Sequence, residues 1–302
     1  MRAEPLTLAT WHADLSRKGP GLLLRDLARG DLDPVLAEIA AADPDVLLLT
    51  DIDYDHDGVA LGQIAEALAA AGAPYPYRFT ARPNTGIPTG LDLDGDGRLG
   101  GGRDAQGFGE FSGQGGMALL SRVPVSLERD LTALLWADLP GHRRLPDDPA
   151  PDLQRLSSAA HWVLRLDTPG GPLSLLAWHA TPPVFDGPED RNGRRNADEL
   201  ALWLRYLDGA FGDVAPRPVL IGNANLDPAR GDGLQDAMRE ELADPRLPDS
   251  LAGSDTVEWD STGPMRVSYV LPPSDLRVLD ARTRPPAAEQ RHRMVLVTLD
   301  LP

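Results

Sequence analysis

Short apolar runs alternate with amphipathic segments along the chain, and most of the runs end in a polar cluster. Apolar runs of about four to eight residues indicate strands, and apolar residues at helical spacing indicate helices packed on a core. The pattern predicts strands over residues 6–11, 46–50, 116–121, 161–166, 173–179, 219–222, 266–271 and 294–299. It predicts helices over residues 34–41, 58–71, 195–211 and 234–242. Such a mixture is typical of a layered α/β or α+β fold.

Residues 81–115 interrupt this alternation, because they lack periodicity and are dense in Gly, Pro, Asn and Asp. We interpret them as a long loop inside one domain over residues 1–302 rather than as a linker between domains. Within the loop, Asp92, Asp94 and Asp96 occupy positions 1, 3 and 5 of a calcium-binding loop, with glycine at position 6. Position 12 lacks the glutamate of an EF-hand. Bound Ca²⁺ in residues 92–104 is therefore one prediction, and a solvated acidic turn is the alternative.

Composition narrows the class of protein. The chain has 302 residues, 42% of them hydrophobic and none of them cysteine, so it can bury a large core and has no disulfide or thiolate metal site. Its 29 basic and 46 acidic residues give a net charge of -17, which disfavours tight nucleic-acid binding but not a small phosphorylated substrate. No stretch approaches the roughly 18 apolar residues of a membrane span. The compartment stays open, because a trimmed signal peptide would leave the same start.

Polar clusters lie at the ends of the predicted strands, at residues 11–14 (WHAD), 50–53 (TDID), 178–181 (WHAT), 223–225 (NAN), 266–269 (RVSY) and 291–293 (RHR). If these ends share one rim of two stacked sheets, side chains distant in sequence meet in one cleft. The segment 186–196 leads into a predicted helix, where Asn192 or Asn196 is a candidate cap, and Asn192 and Arg194 are candidate phosphate contacts. The alternative for its arginines is pairing with nearby acids.

Three motifs carry a resemblance to a known family: DLDGDG at 92–97, GQGGMALLSR at 113–122 and WHATPP at 178–183. Together with the order of the strand ends, they resemble the endonuclease/exonuclease/phosphatase superfamily, which includes the DNase I-like nucleases and inositol-phosphate phosphatases. The resemblance covers nearly the whole chain. It implies an α+β fold, a four-layer α/β/β/α sandwich of two packed mixed sheets with outer helices, and a divalent-metal phosphoesterase site on one rim.

The resemblance also implies roles for individual residues. His179 matches the phosphate-contacting histidine, His292 the acid–base histidine, and Asn225 the last residue of the family's Gly-Asp-x-Asn. The departures from the family pattern are His12 for a metal-binding Asn, Asp51 for a metal-binding Glu, Asn223 for the Asp of Gly-Asp-x-Asn, Ser268 for an Asp that orients histidine, and Arg291 for the last acidic ligand. Asp53 and Asp55 are candidate replacements for a missing ligand, and solvated turns otherwise.

These departures set the expected chemistry. Mg²⁺ and Mn²⁺ prefer carboxylate oxygens, so Asp51 with His12 predicts weak binding of either ion without substrate. Arg291 and Arg266 are candidate cations for a bound phosphate. The leading hypothesis is a divalent-metal-dependent hydrolase of a small or exposed phosphoester, with an acid-depleted site. The alternative is a catalytically impaired family member that binds a phosphorylated ligand or partner. A secreted nuclease is a third hypothesis, disfavoured by the net charge.

Overall fold

Strands and helices form where the apolar periodicity predicts them, with several additions. The computed structural model describes residues 5–285 and 290–301. Its strands are β1 (Leu6–Leu15), β2 (Val46–Ile52), β3 (Tyr77–Thr80), β4 (Gly116–Ser121), β5 (Val125–Asp130), β6 (His161–Thr168), β7 (Gly171–His179), β8 (Pro218–Asn223), β9 (Val257–Trp259), β10 (Gly263–Met265), β11 (Ser268–Leu271), β12 (Arg277–Arg284) and β13 (Met294–Asp300). Its helices are α1 (Leu22–Arg29), α2 (Asp33–Ala42), α3 (Val59–Ala70), α4 (Arg191–Leu207) and α5 (Gln235–Leu242).

The strands form two main sheets. The six-stranded sheet has the order β12-β13-β1-β2-β4-β3, and the five-stranded sheet has the order β11-β8-β7-β6-β5. Within each sheet one pair is parallel, β1 with β2 and β7 with β8, and the remaining pairs are antiparallel. Both sheets are therefore mixed. A small hairpin of β9 and β10 stands apart from them.

Apolar side chains on the facing surfaces of the two sheets form the central core. Leu8 and Leu48 from the six-stranded sheet and Leu175 and Val219 from the five-stranded sheet are all fully buried there. Helices α1 to α3 cover the outer face of the six-stranded sheet, and α4 and α5 cover the outer face of the five-stranded sheet. The predicted α+β fold, a four-layer sandwich with outer helices, is therefore confirmed. None of the helices in the described ranges is long and apolar enough to cross a bilayer.

The structure differs from the predicted elements mainly at the sheet edges. The apolar pattern does not predict strands β3, β5 and β12. All three lie at sheet edges, and their side chains are largely exposed. Edge strands carry polar side chains that discourage pairing with other chains, so they lack an apolar signal. Strand β11 begins at Ser268 rather than at 266, because the backbone N–H of Arg266 donates to Asp227 instead of joining the sheet.

Helix α4 also begins earlier than predicted. It starts at Arg191, so Asn192 and Asn196 lie inside the helix, and Asp190 occupies the N-cap position. The prediction that either asparagine caps this helix is therefore wrong. The Asn192 side chain instead donates to the carbonyl of Val184 at 2.7 Å.

The long loop at 81–115 is tied to the sandwich at both ends. The Asn84 side chain donates to the carbonyls of Thr132 and Ser157, each at 2.7 Å. At the other end, the carbonyl of Gly113 accepts from the backbone N–H of Tyr54 at 2.7 Å. The backbone N–H of Gly115 donates to the Asp53 carboxylate at 3.1 Å. The last residues of the loop therefore lie against the segment that follows β2.

Candidate active site

Three histidines from distant parts of the chain meet at one rim of the sandwich. His12 lies on β1, His179 ends β7, and His292 precedes β13. The ring centroids of His12 and His292 are 4.1 Å apart, and those of His12 and His179 are 5.3 Å apart in an edge-on arrangement. The cleft is thus built from both sheets, as the polar strand ends predict.

Two backbone irregularities direct carboxylates into this cleft. The pairing of β1 with β2 shifts register between His12 and Leu15, and the pairing of β2 with β4 shifts between Thr50 and Ile52. Asp14 and Asp51 lie in these irregular stretches and adopt left-handed φ values of 49° and 58°. A β-bulge re-aims the side chain of its extra residue, and strained backbone of this kind is concentrated at functional sites.

The two carboxylates form a pair that favours a cation. Burial raises the pKa of Asp51 to about 6, and burial followed by the charge of Asp51 raises the pKa of Asp14 to about 6. The Nε2 atom of His12 lies 3.7 Å from a carboxylate oxygen of each. The three residues offer ligand atoms within 4.8 Å of one another. Two carboxylates suit a hard divalent cation such as Mg²⁺ or Mn²⁺, so the residues present fit that class of ion.

Asp14 is the residue that the sequence interpretation missed. It lies two positions after His12 in the WHAD cluster, so the signal was present. An alternating strand would place Asp14 on the same face as His12, and this parity could have identified it as a second acid of the cleft. The site therefore contains one more carboxylate than the residue-by-residue resemblance implies.

The histidines are neutral near pH 7. Burial lowers the pKa of His12 to about 4 and that of His179 to about 3, the latter with help from His12. The pKa of His292 is also lowered well below its usual value, first by burial and then by its two histidine neighbours. Uncharged imidazoles packed together accept or donate hydrogen bonds without repelling one another.

Asn223 and Asn225 form a hydrogen-bonded turn at the end of β8. The backbone N–H of Asn225 donates to the Asn223 side-chain oxygen at 2.9 Å. The Asn223 amide nitrogen lies 2.9 Å from Nδ1 of His12, and the Asn225 amide donates to the carbonyl of Ala180 at 2.8 Å. Asn223 thus reaches from the five-stranded sheet to the six-stranded sheet.

Comparison with known proteins assigns the chain to a family. A model described as the endonuclease/exonuclease/phosphatase family matches residues 23–292, most of the chain. The chain belongs to this family. The resemblance predicted from the three motifs is therefore confirmed. A search of curated proteins finds no match.

Solved structures agree on the fold. An endonuclease/exonuclease/phosphatase from Beutenbergia cavernae is 20% identical with a TM-score of 0.62, covering 100% of this chain and 72% of that one. A mannosyl-6-phosphatase from Bacteroides thetaiotaomicron is 13% identical with a TM-score of 0.54, covering 97% and 99%. A 3′ phosphatase from Neisseria, bound to a product DNA hairpin, is 17% identical with a TM-score of 0.53, covering 98% and 99%. At these identities the similarity shows the fold alone.

Two further departures from the family pattern are Ser268 and Arg291, the residue before His292. Ser268 pairs with Asn223 between β11 and β8, and its hydroxyl is buried without a hydrogen-bond partner in the described ranges. The Nδ1 atom of His292 is likewise buried without a partner there. Arg291 is more than half exposed, lies 3.5 Å from an Asp260 carboxylate oxygen, and stands over the Trp259 ring. Its charge nevertheless lowers the pKa of both Asp14 and His292, so it lies close enough to act on the cleft.

Two predicted phosphate contacts are occupied elsewhere. Arg266 is buried and makes a two-pronged ion pair with Asp249 at 2.6 and 2.7 Å. Arg194 makes a similar pair with Asp148 at 2.5 and 2.8 Å. Guanidinium groups held this way have little capacity for another anion. For Arg194 the structure therefore favours the alternative interpretation, pairing with a nearby acid. Arg266 is likewise held by a protein acid, and Asn192 is engaged by Val184 as described above.

Other candidate acids have structural partners. Asp53 accepts from the backbone N–H groups of Arg17 and Gly115 at 2.9 and 3.1 Å, and Asp55 accepts from the backbone of Ala60 at the start of α3. Asp92, Asp94 and Asp96 have carboxylate oxygens within 4.8 Å of one another. These same carboxylates accept backbone N–H groups of their own turn, so their geometry is compatible with either of the two alternatives.

Proposed function

We propose that this family member is a divalent-metal-dependent hydrolase of a small or exposed phosphoester. The observation that carries the proposal is the pair of carboxylates, Asp14 and Asp51, directed into a rim that also holds three neutral histidines. Asp51 is largely buried and Asp14 about half exposed, both have strained backbone, and the charge of Asp51 disfavours the ionised form of Asp14, so a cation that neutralises them would relieve the cost. Their arrangement is that of a site built for such a cation.

Asp14 and Asp51 would hold Mg²⁺ or Mn²⁺. A bound divalent ion would neutralise phosphate charge and polarise the phosphoryl group. The imidazoles of His179 and His292 lie beside this position and, being neutral, would donate or accept hydrogen bonds to phosphate oxygens. A bound phosphate anion would raise the pKa of His292, which would then be able to pass a proton to the leaving group. Arg291 would stabilise the developing negative charge from the edge of the cleft.

The amide of Asn225 supports the same placement of substrate. Asn225 is held in a left-handed conformation with φ of 51°, and its N–H and amide groups are fixed by Asn223 and Ala180. A rigid amide at the end of β8, next to the residue that contacts His12, would orient a phosphate oxygen with little loss of entropy. The net charge of -17 favours a small substrate over a long polyanion.

Hydrolysis assays test the proposal. Para-nitrophenyl phosphate and bis-para-nitrophenyl phosphate would be incubated with Mg²⁺, Mn²⁺ or Ca²⁺, using wild type, Asp51→Asn and His292→Ala. We expect metal-dependent release of nitrophenol by wild type and a loss of about 10²-fold or more in each variant. The matched control is Asp57→Asn, because the Asp57 side chain is 82% exposed only six residues from Asp51. Equal inertness of wild type and His292→Ala with every ion would refute the proposal.

The rival function is phosphate binding without efficient hydrolysis. It is favoured by the Ser268 hydroxyl and His292 Nδ1, which have no hydrogen-bond partner within residues 5–285 and 290–301, since a histidine without an orienting acid lacks control of its tautomer. Calorimetry with inorganic phosphate, with and without Mn²⁺, separates the two proposals. Binding without turnover would support the rival, and absence of both would exclude it.

A further inference from the structure

The orientation of the Asn223 amide is fixed by its neighbour. The backbone N–H of Asn225 is a donor, so the Asn223 atom that lies 2.9 Å from it must be the oxygen. The amide nitrogen therefore faces His12, with 2.9 Å between it and Nδ1. Side-chain amides are assigned in this way, from the network around them.

This orientation determines the role of His12 Nδ1. An amide NH₂ group can only donate, so Nδ1 must accept. The hydroxyl of Thr50, 3.3 Å from the same nitrogen, can donate as well as accept and so is compatible with that role. A neutral imidazole whose Nδ1 accepts carries its proton on Nε2.

We propose that Asn223 is a positioning residue that holds His12 in the Nε2–H tautomer, so that His12 offers a donor rather than a lone pair to the cleft. The Nε2 atom is the one that lies 3.7 Å from both Asp14 and Asp51. A histidine that binds a metal uses an unprotonated nitrogen and usually donates its other N–H to an acceptor. His12 has the opposite arrangement, because its other nitrogen faces a donor.

The proposal changes the role assigned to His12. Rather than acting as a metal ligand, His12 donates Nε2–H toward an oxygen that would lie beside an ion held by the two carboxylates. We assign that oxygen to the substrate phosphate, and this assignment rests on the function proposed above. The tautomer of His12 does not depend on that function. The departures at His12 and Asn223 are then chemically complementary, since an accepting imidazole nitrogen requires a donor opposite it.

A carboxylate at position 223 would reverse the arrangement. Carboxylate oxygens only accept, so Asn223→Asp would draw the imidazole proton to Nδ1 and leave the Nε2 lone pair directed at Asp14 and Asp51. The variant would thereby convert His12 into a candidate ligand for an ion that prefers imidazole, such as Zn²⁺.

Long-range ¹H–¹⁵N correlation spectra of the ¹⁵N-labelled full chain, recorded without metal or substrate, test the tautomer directly. The chain has 6 histidines, and loss of one set of signals in His12→Gln assigns the ring. We expect the Nε2–H pattern in wild type and a proton on Nδ1 in Asn223→Asp, either as the Nδ1–H tautomer or, because three carboxylates then surround the ring, as the doubly protonated imidazolium. Thr50→Val is the matched control, since it removes the other group beside Nδ1 and should leave the Nε2–H pattern unchanged.

A second readout uses Zn²⁺. Addition of Zn²⁺ should shift the His12 ring nitrogens by a larger amount in Asn223→Asp, where Nε2 can bind the ion, than in wild type, where the carboxylates alone would hold it. A wild-type His12 in the Nδ1–H form would overturn the proposal. An unchanged tautomer in a folded Asn223→Asp, checked by circular dichroism, would do the same. Should that variant fail to fold, Asn223→Ser, which keeps a hydroxyl donor, is expected to retain the Nε2–H pattern. Because these spectra require no turnover, an inert enzyme would leave the result intact.

Discussion

Replacement of Asp51 by asparagine should stabilise the protein in the absence of metal. Burial raises the pKa of Asp51 from 3.8 to about 6, a difference that corresponds to about 3 kcal/mol of unfavourable free energy for the ionised folded state. The side chain is only 25% exposed, so solvent screens little of this, and about 3 kcal/mol is an upper limit. An asparagine keeps the size and removes the charge. With an unfolding entropy of about 2.1 cal/mol/K per residue, the melting temperature should rise by at most about 5 °C.

The stabilisation should depend on pH in a defined direction. Below about pH 3.8 the Asp51 carboxyl is protonated in both folded and unfolded chains, so the variant gains nothing there. Between about pH 4 and 6 the unfolded chain ionises first, and wild type loses stability relative to the variant. Above about pH 6 the full difference is present. Chemical denaturation in urea at pH 4 and pH 7.5 measures the two limits.

Bound metal should make wild type more stable than Asp51→Asn. Mn²⁺ at about 1,000 times its dissociation constant would stabilise wild type by about 4.1 kcal/mol, which exceeds the advantage of at most about 3 kcal/mol that Asp51→Asn has without metal, and Asp51→Asn should show a much smaller gain. Asp57→Asn, which alters an exposed acid, should follow wild type under every condition. A stabilisation of Asp51→Asn that is equal at pH 4 and pH 7.5 would refute the assignment of the penalty to the buried charge.

Three further predictions concern neighbouring features. Gly115→Ala should weaken the stimulation of hydrolysis by metal. An added Cβ would lie 3.0 Å from an Asp51 carboxylate oxygen, and the residue has a left-handed φ of 58°. If the rate depends on the Mn²⁺ concentration as in wild type, this prediction is wrong. Ca²⁺ should raise the melting temperature if it binds the loop, and Asp94→Ala should abolish that rise; no rise in wild type would leave the solvated acidic turn as the interpretation. Arg266→Lys should lower the free energy of unfolding by about 1–3 kcal/mol, because the two-pronged pair with Asp249 is lost. The KM should not change. A raised KM would show that Arg266 contacts the substrate phosphate after all.

The fold and the gathering of strand ends are predictable because they depend on local patterns. Apolar runs such as 46–50 and 173–179 identify the buried strands, and the motifs at their ends carry the family resemblance. Edge strand β12 is not predictable in the same way, because its side chains are largely exposed and leave no apolar run. Sequence pattern therefore reports burial more faithfully than it reports strand pairing.

The details of the site depend on contacts that the chain order does not reveal. Strand parity places Asp14 on the same face of β1 as His12, but its approach to Asp51 depends on a register shift between β1 and β2 that no residue type in its vicinity demands. The partner of Arg266 is an acid 17 positions away, in an irregular segment. The hydrogen bond between His12 and Asn223 joins residues 211 positions apart. Each of these contacts forms between residues distant in the sequence, and several other residues could serve as partners. Strand formation, in contrast, depends on local residue preferences.

The same hydrogen bond between His12 and Asn223 has a mechanical consequence. It connects β1 of one sheet to β8 of the other, and the edge-on contact of His12 with His179 connects the sheets a second time. Any change in the distance between the two sheets would therefore strain both contacts. Core substitutions between the sheets, such as Leu48→Ala, would be transmitted to the rim as altered ring spacing.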